Sequence, residues 1–254
     1  MSVLVTVVED GETHACGADL RFCTPREVHV WRVELDSVPV HPGFASVLSQ
    51  DEQSRAAVFK SADLRRLWTT ARVALRMILA RYTESSPAKL SFSVDSHGRP
   101  SLVGDESKVN FNLTHTGRLA LVAVAPDTRV GVDAEIINPD IEWEELANRF
   151  FTPAETKDIG VLPRSRRVDA FFACWTRKEA FVKALGTGLS IPLDRFGVTV
   201  RPDTPARLLW VQDDFDEPEY WHLENLNEPR IAATLAVRDP SATVRRFDFR
   251  PPGA

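Results

Sequence analysis

FTPAETKDIGVLPRSRRVDAFFACWTRKEAFVKALG, residues 151–186, opens on a helix start and runs on into a long helix. Thr152 followed three places later by Glu155 is a capping box: the hydroxyl accepts from the third helical N–H while the carboxylate reaches back to the N-cap N–H. Phe151 precedes the cap as a staple, and Pro153 suits the first helical position. LSQDE (48–52) has the same form, with Leu48, Ser49 and Glu52 in the corresponding places. It leads into AAVFKSADLRRLWTTARVALRMILARY (56–82), where Leu64, Leu67, Leu75, Ile78 and Leu79 fall at helical spacing. A short apolar strand comes late in each half, RLALVAVA (118–125) and AATLAVR (232–238). FGVTV (196–200), RLLWV (207–211) and FDFR (247–250) also read as strands, whereas DDFDEPE, ENLNEPR and the terminal PPGA read as loop or disorder. These repeats predict an α+β protein made as a pseudo-dimer of two similar α+β lobes, 1–127 and 128–254, that share an interface.

The rest of the chain bounds the class. With 254 residues, 43% hydrophobic and 26% charged, it has the composition of an ordinary globular protein with a sizeable core. A net charge of −5 argues against a nucleic-acid partner, so an anionic ligand must be held by local basic groups. Cys16, Cys23 and Cys174 are odd in number and lack metal-like spacing, which predicts reduced thiols and a cytoplasmic protein. MSVLVTVVED has no basic n-region, and no apolar run approaches a membrane span, so neither export nor a membrane is expected.

Within the long helix, Trp175, Glu179 and Lys183 recur at four-residue steps and form one stripe. A surface Glu–Lys pair beside a packed Trp is the plain alternative. VGVDAE (130–135) follows LALVAVA through PDTR, and together they read as a hairpin. By strand alternation Val130, Val132 and Ala134 face one way, and Gly131, Asp133 and Glu135 the other. Two carboxylates one repeat apart repel unless a cation sits between them, and a hard ion such as Mg²⁺ takes such oxygens. Gly131 would leave that face open; a solvated acidic strand end is the alternative. FNLTHTG (111–117) alternates as a strand and then turns, bringing Thr114 and His115 to a strand end where a hydroxyl and an imidazole suit phosphate oxygens. HGRP (97–100) is a glycine turn with Arg99 exposed and Pro100 fixing the backbone.

GRP, FNLTHTG, GVDAE and WTRKEAFVKALGTGL, in this order from about Leu48 to Leu193, resemble the 4′-phosphopantetheinyl transferases, specifically the long, two-lobed Sfp-type class. The resemblance implies a pseudo-dimeric α+β fold. It also implies transfer of phosphopantetheine from coenzyme A to a serine of an acyl or peptidyl carrier protein, giving adenosine 3′,5′-bisphosphate with Mg²⁺ required. It assigns Asp133, Glu135 and Glu179 to the metal, and Lys183 to the phosphates as a catalytic group. Glu179 becomes the candidate base for the serine proton, directly or through a water, with Glu135 as another candidate, and Trp175 becomes its support. Arg99, Pro100, Thr114 and His115 match positions at the coenzyme A nucleotide, and Arg55, Lys60 and Arg66 are candidates for its 3′-phosphate, or else a solvated helix face. Arg99 stands where the family usually has Lys, Thr114 where it has Ser, and Ala134 is smaller than the usual aliphatic; no essential group is lost.

The two-lobed class is linked to polyketide and non-ribosomal peptide synthesis, and a chain that supplies both lobes is expected to act as a monomer. Carrier proteins are acidic, so Arg164, Arg166 and Arg167 of PRSRR form a candidate docking patch, or a solvated loop. Two rivals stay open: a metal-dependent phosphodiesterase or nuclease, and a non-catalytic coenzyme A or carrier-protein binding module.

Overall fold

The computed structural model describes residues 5–9, 12–16, 22, 24–36, 46–83, 85–96, 98–104, 108–186, 191–214 and 216–250. PPGA (251–254), Cys23, His97 and Thr187–Leu189 lie outside the described residues. In chain order the strands are β1 (Val5–Glu9), β2 (Glu12–Cys16), β3 (Glu27–Glu34), β4 (Phe92–Val94), β5 (Pro100–Leu102), β6 (Val109–Thr116), β7 (Leu119–Pro126), β8 (Val130–Ile136), β9 (Phe196–Val198), β10 (Leu208–Val211), β11 (His222–Asn225), β12 (Ile231–Val237) and β13 (Thr243–Asp248). The helices are α1 (Gln50–Ala57), α2 (Ala62–Leu79), α3 (Trp143–Phe150), α4 (Pro153–Gly160) and α5 (Arg164–Leu185). The mixed α+β class is as the sequence led us to expect.

Two compact units divide the chain: Met1–Ser93, Pro100–Asp127 and Thr243–Ala254 form one, Val94–Arg99 and Thr128–Ala242 the other. A break falls between 127 and 128, but the units are not two consecutive halves. β13, which contains the first part of FDFR, pairs in parallel with β3 and so joins the first unit. The expected hairpin through PDTR does not form. β7 is paired on both sides, by β3 and β6, whereas β8 is hydrogen-bonded to β12 in another sheet. A strand with both edges taken has no backbone groups left for its successor.

In the first unit the order β13-β3-β7-β6 makes the sheet, and Trp31, Val33, Leu75, Ile78 and Val122 are among its fully buried core residues. The long apolar run after LSQDE is two helices, not one. Ser49 and Glu52 make the expected capping box of α1, and a second cap, Ser61 accepting from Leu64 N at 3.3 Å, starts α2. A buried polar group joins β3 to β13. His29 lies 2.6 Å from Glu27 Oε1 and 2.6 Å from the Tyr82 hydroxyl, and Arg245 lies 3.0 Å from Glu27 Oε1. Trp31 Nε1 donates to that same hydroxyl at 2.7 Å. Burial lowers the pKa of the His29 imidazole, and the Glu27 carboxylate beside it opposes the fall.

The second unit repeats the helical plan. Thr152 and Glu155 cap α4 as expected, and α5 follows after a short break. α5 packs across β8 and β12, and its other side meets α3, α4 and β9. Nearly every residue from Ala170 to Ala184 is buried, as expected of a helix covered on most sides. Gly186, at φ +75°, ends it in the left-handed conformation that favours glycine, its N–H bonding to Val182 O.

Candidate active site

β8 and α5 bring the stripe and the strand acids together. Gly131 is the reason they can approach. A Cβ on Gly131 would overlap Ala180 O and Ala184 N of α5. The face expected to lie open beside Gly131 is therefore filled by the helix backbone, and the glycine serves close packing. Asp133, on the same face, meets Lys183: Nζ lies 2.6 Å from Asp133 Oδ1 and 3.4 Å from Val132 O. The Asp133 side chain keeps 4% of its exposure and that of Lys183 keeps 29%. Buried Thr234, opposite Asp133 across the ladder, lies 3.1 Å from Thr176 Oγ1 of α5.

Glu135 and Glu179 are each half-buried. Burial pushes the carboxyl of each above its ordinary value; the negative charge of Asp133 adds to the rise and Lys183 opposes it. Three carboxylates and one ammonium thus feel one another, and when all are ionised two negative charges are in excess. Hard oxygen donors with that excess fit a divalent cation in charge and chemistry. Among the described residues, no group of three or more His, Cys, Asp or Glu side chains is arranged to hold a metal ion as it stands. A cation taking Asp133 Oδ1 competes with Lys183 for that oxygen. Trp175, at the other end of the stripe, packs into an aromatic cluster, with ring centroids 5.7 Å from Phe150 and 5.9 Å from Phe171.

Arg99 differs from the expectation of an exposed side chain. It is half-buried against the C-terminal end of α5, with Nη1 donating to Ala184 O at 3.2 Å and Nη2 to Val130 O at 3.4 Å. Free carbonyls at a helix C-terminus attract a guanidinium, which accounts for the position. Burial lowers its pKa. Pro100, next to it, starts β5, one strand of the β4–β5 hairpin.

Thr114 and His115 belong to the first unit. β6 runs through Thr116, so both lie in the strand and not in the turn; Thr114 is buried and His115 exposed. Arg55 and Lys60 are exposed, Arg55 lying over the Trp68 ring at 5.9 Å. Arg66 is engaged by two carboxylates, Asp36 at 2.6 Å and Asp63 at 3.0 Å, which offset its charge. Of the PRSRR arginines, Arg166 pairs with Asp203 at 3.2 Å and Arg167 donates to Leu162 O at 2.9 Å. Arg164 is exposed beside a groove lined by Ile137, Val168 and Ile231.

Two charged residues of α5 were passed over by sequence reading. Arg177, its pKa pushed down to about 10 by burial, donates to Thr199 O at 2.6 Å, Arg201 O at 2.9 Å and Asn225 Oδ1 at 3.0 Å. Lys178 is fully buried. A signal was available: the steps Cys174–Lys178 and Arg177–Phe181 set both cations on the apolar side of the helix.

A family model described as the 4′-phosphopantetheinyl transferase superfamily matches residues 129–236, and one described as 4′-phosphopantetheinyl transferase, N-terminal, matches residues 40–127. The chain is 39% identical to the 4′-phosphopantetheinyl transferase HetI of Nostoc sp. over 215 residues, covering 83% of this chain and 87% of that protein. It is 29% identical to the L-aminoadipate-semialdehyde dehydrogenase-phosphopantetheinyl transferase of Xenopus laevis, over 77% of this chain and 70% of that protein. It is 29% identical to the 4′-phosphopantetheinyl transferase Sfp of Bacillus subtilis, over 63% of this chain and 70% of that protein.

Proposed function

We propose a division of labour among the residues of a chain that belongs to the 4′-phosphopantetheinyl transferase superfamily and is a 4′-phosphopantetheinyl transferase. Coenzyme A is the donor, and a serine hydroxyl of an acyl or peptidyl carrier protein is the acceptor. The serine Oγ forms a bond to the phosphorus that carries pantetheine, and the bond from that phosphorus to the bridging oxygen breaks. Adenosine 3′,5′-bisphosphate leaves with the bridging electron pair. The observation that carries this reading is the cluster of Asp133, Glu135, Glu179 and Lys183 on the facing sides of β8 and α5.

Phosphoryl transfer depends mainly on positioning and on neutralising charge. Asp133, Glu135 and Glu179 would hold Mg²⁺, which when bound supplies positive charge to the pyrophosphate oxygens. Lys183 donates to the same oxygens once released from Asp133 and stabilises the negative charge on the leaving phosphate. Glu179 is assigned to accept the serine proton, directly or through a water. Arg99, Thr114 and His115 are assigned to the nucleotide end of coenzyme A, and exposed Arg164 to steering the acidic carrier. Service to polyketide or non-ribosomal peptide assembly fits the class, and the protein is taken to act as a cytoplasmic monomer. No helix among the described residues is long and apolar enough to cross a membrane.

Thermal unfolding tests the coenzyme A assignment. Losing charge-assisted bonds to a phosphate weakens binding about tenfold, and at saturation that is about 3–6 °C of melting temperature for a chain of this size. Coenzyme A is expected to raise the melting temperature by that much more than dephospho-coenzyme A at equal concentration. Equal shifts would remove Arg99 and His115 from the 3′-phosphate.

A further inference from the structure

Lys178 adjoins Glu179 in the chain but points away from it into the core. Its Nζ donates to Leu193 O at 2.7 Å, to Phe196 O at 2.7 Å and to Glu155 Oε1 at 2.9 Å. Three N–H groups meet three acceptors, so the ammonium is satisfied without ligand or water. Glu155 is equally occupied. Its Oε1 also accepts from Val198 N at 2.9 Å, and its Oε2 from Thr152 N at 2.9 Å and Thr152 Oγ1 at 2.8 Å. This one ion pair therefore ties together α4, α5, the 3-10 turn Leu193–Arg195 and β9.

The first unit contains the same device. Glu52, the capping-box acid of α1, accepts from Arg76 Nε of α2 at 2.7 Å, and Arg76 Nη1 donates to Pro87 O at 2.8 Å and Leu90 O at 3.0 Å, flanking the 3-10 turn Pro87–Lys89. Arg76 is buried like Lys178. The residue after Arg76 is Met77, where α5 has Glu179. The device thus occurs in a unit whose long helix carries no acid at that place, which marks it as scaffold and not as chemistry.

We propose that Lys178 and Glu155 are a positioning pair that fixes the rotation of α5 about its axis, and so aims Glu179 and Lys183 at β8, without touching coenzyme A or carrier. Adjacent helix residues are turned by about 100°, so holding Lys178 at three points sets the direction of Glu179. Lys178 also holds Leu193 of the 3-10 turn Leu193–Arg195, which comes after α5 in the chain. A displacement of about 1 Å at a reacting group costs up to a hundredfold in rate. The inference rests on Glu179 and Lys183 being the reacting groups.

The test compares K178M, E155Q, the double variant E155Q/K178M, and K178R. Each single neutralisation leaves a buried charge unpaired, so both are expected to melt well below the double variant. At saturating substrates and per folded protein, the double variant is expected to show kcat reduced tenfold or more with KM for coenzyme A within twofold. K178R supplies the cation that the first unit uses and is expected to keep at least half of kcat. A folded double variant with unchanged kcat, or a folded K178R with less than a tenth of it, overturns the inference. An unmodified protein that transfers nothing would instead overturn the reaction proposed above.

Discussion

Replacing Lys183 by methionine is expected to lower both stability and turnover, and added Mg²⁺ is expected to restore the first and not the second. Lys183 supplies the ammonium bonded to Asp133 Oδ1 at 2.6 Å, on a carboxylate keeping 4% of its exposure. Removing one partner of a fully buried pair costs about 3–5 kcal/mol, because the other charge stays behind uncompensated. The Lys183 side chain keeps 29% exposure, so water screens part of that cost and roughly 2 kcal/mol is expected. For a chain of this length that is a melting temperature lower by about 4–8 °C. In the variant a divalent cation no longer competes with the ammonium for Oδ1, so millimolar Mg²⁺ should raise the melting temperature of K183M more than that of the unmodified protein. Turnover should stay down by about 10²–10³-fold, the loss typical when a group stabilising the transition-state charge is removed. Equal Mg²⁺ shifts in the two proteins would show that Lys183 and the cation do not share Asp133.

A methyl group on Gly131 is the second large effect. In G131A the new Cβ overlaps Ala180 O and Ala184 N and lies 3.0 Å from Ala184 Cα, all of them backbone atoms that cannot rotate aside. α5 must move off β8. Overpacking of this kind costs about 1–3 kcal/mol, or about 2–12 °C of melting temperature. Lys183 precedes Ala184, so the same movement lengthens the Asp133–Lys183 contact, and kcat is expected to fall at least tenfold in protein that still folds. Gly160 provides the control: a Cβ there meets nothing within 4 Å, and G160A should be neutral in both measures. A G131A protein as stable and active as the unmodified one would contradict the packing described.

What the sequence made legible was local. Ser49–Glu52 and Thr152–Glu155 were readable because a capping box lies within one helical turn. Two periodicities, two along β8 and nearly four along α5, group Asp133 with Glu135 and Glu179 with Lys183, whereas the meeting of strand and helix was implied only by the family resemblance. What stayed hidden depends on partners distant in the chain. β7 and β8 are consecutive strands that read as a hairpin, and only the pairing of β7 with β3 and of β8 with β12 prevents it. β13 meets β3 across more than two hundred residues, so no local signal returns it to the first unit. Arg99 reads as an exposed cation and Lys178 is passed over because their acceptors are mostly backbone carbonyls distant in the chain, which sequence patterns do not name. The ion pair on Lys178 does belong to the motif FTPAE, but as a second use of a glutamate already explained by its cap.

The central claim is that the acids and lysine on the facing sides of β8 and α5 carry out phosphopantetheine transfer. Its most direct test is the intact mass of an apo carrier protein incubated with coenzyme A, Mg²⁺ and either the unmodified protein or E179Q. The account predicts a gain of about 340 Da, the mass of one phosphopantetheine, with the unmodified protein, and no gain in the same time with E179Q or when Mg²⁺ is withheld. No gain by the unmodified protein on any of several unrelated carriers, or an equal gain with E179Q, would contradict it.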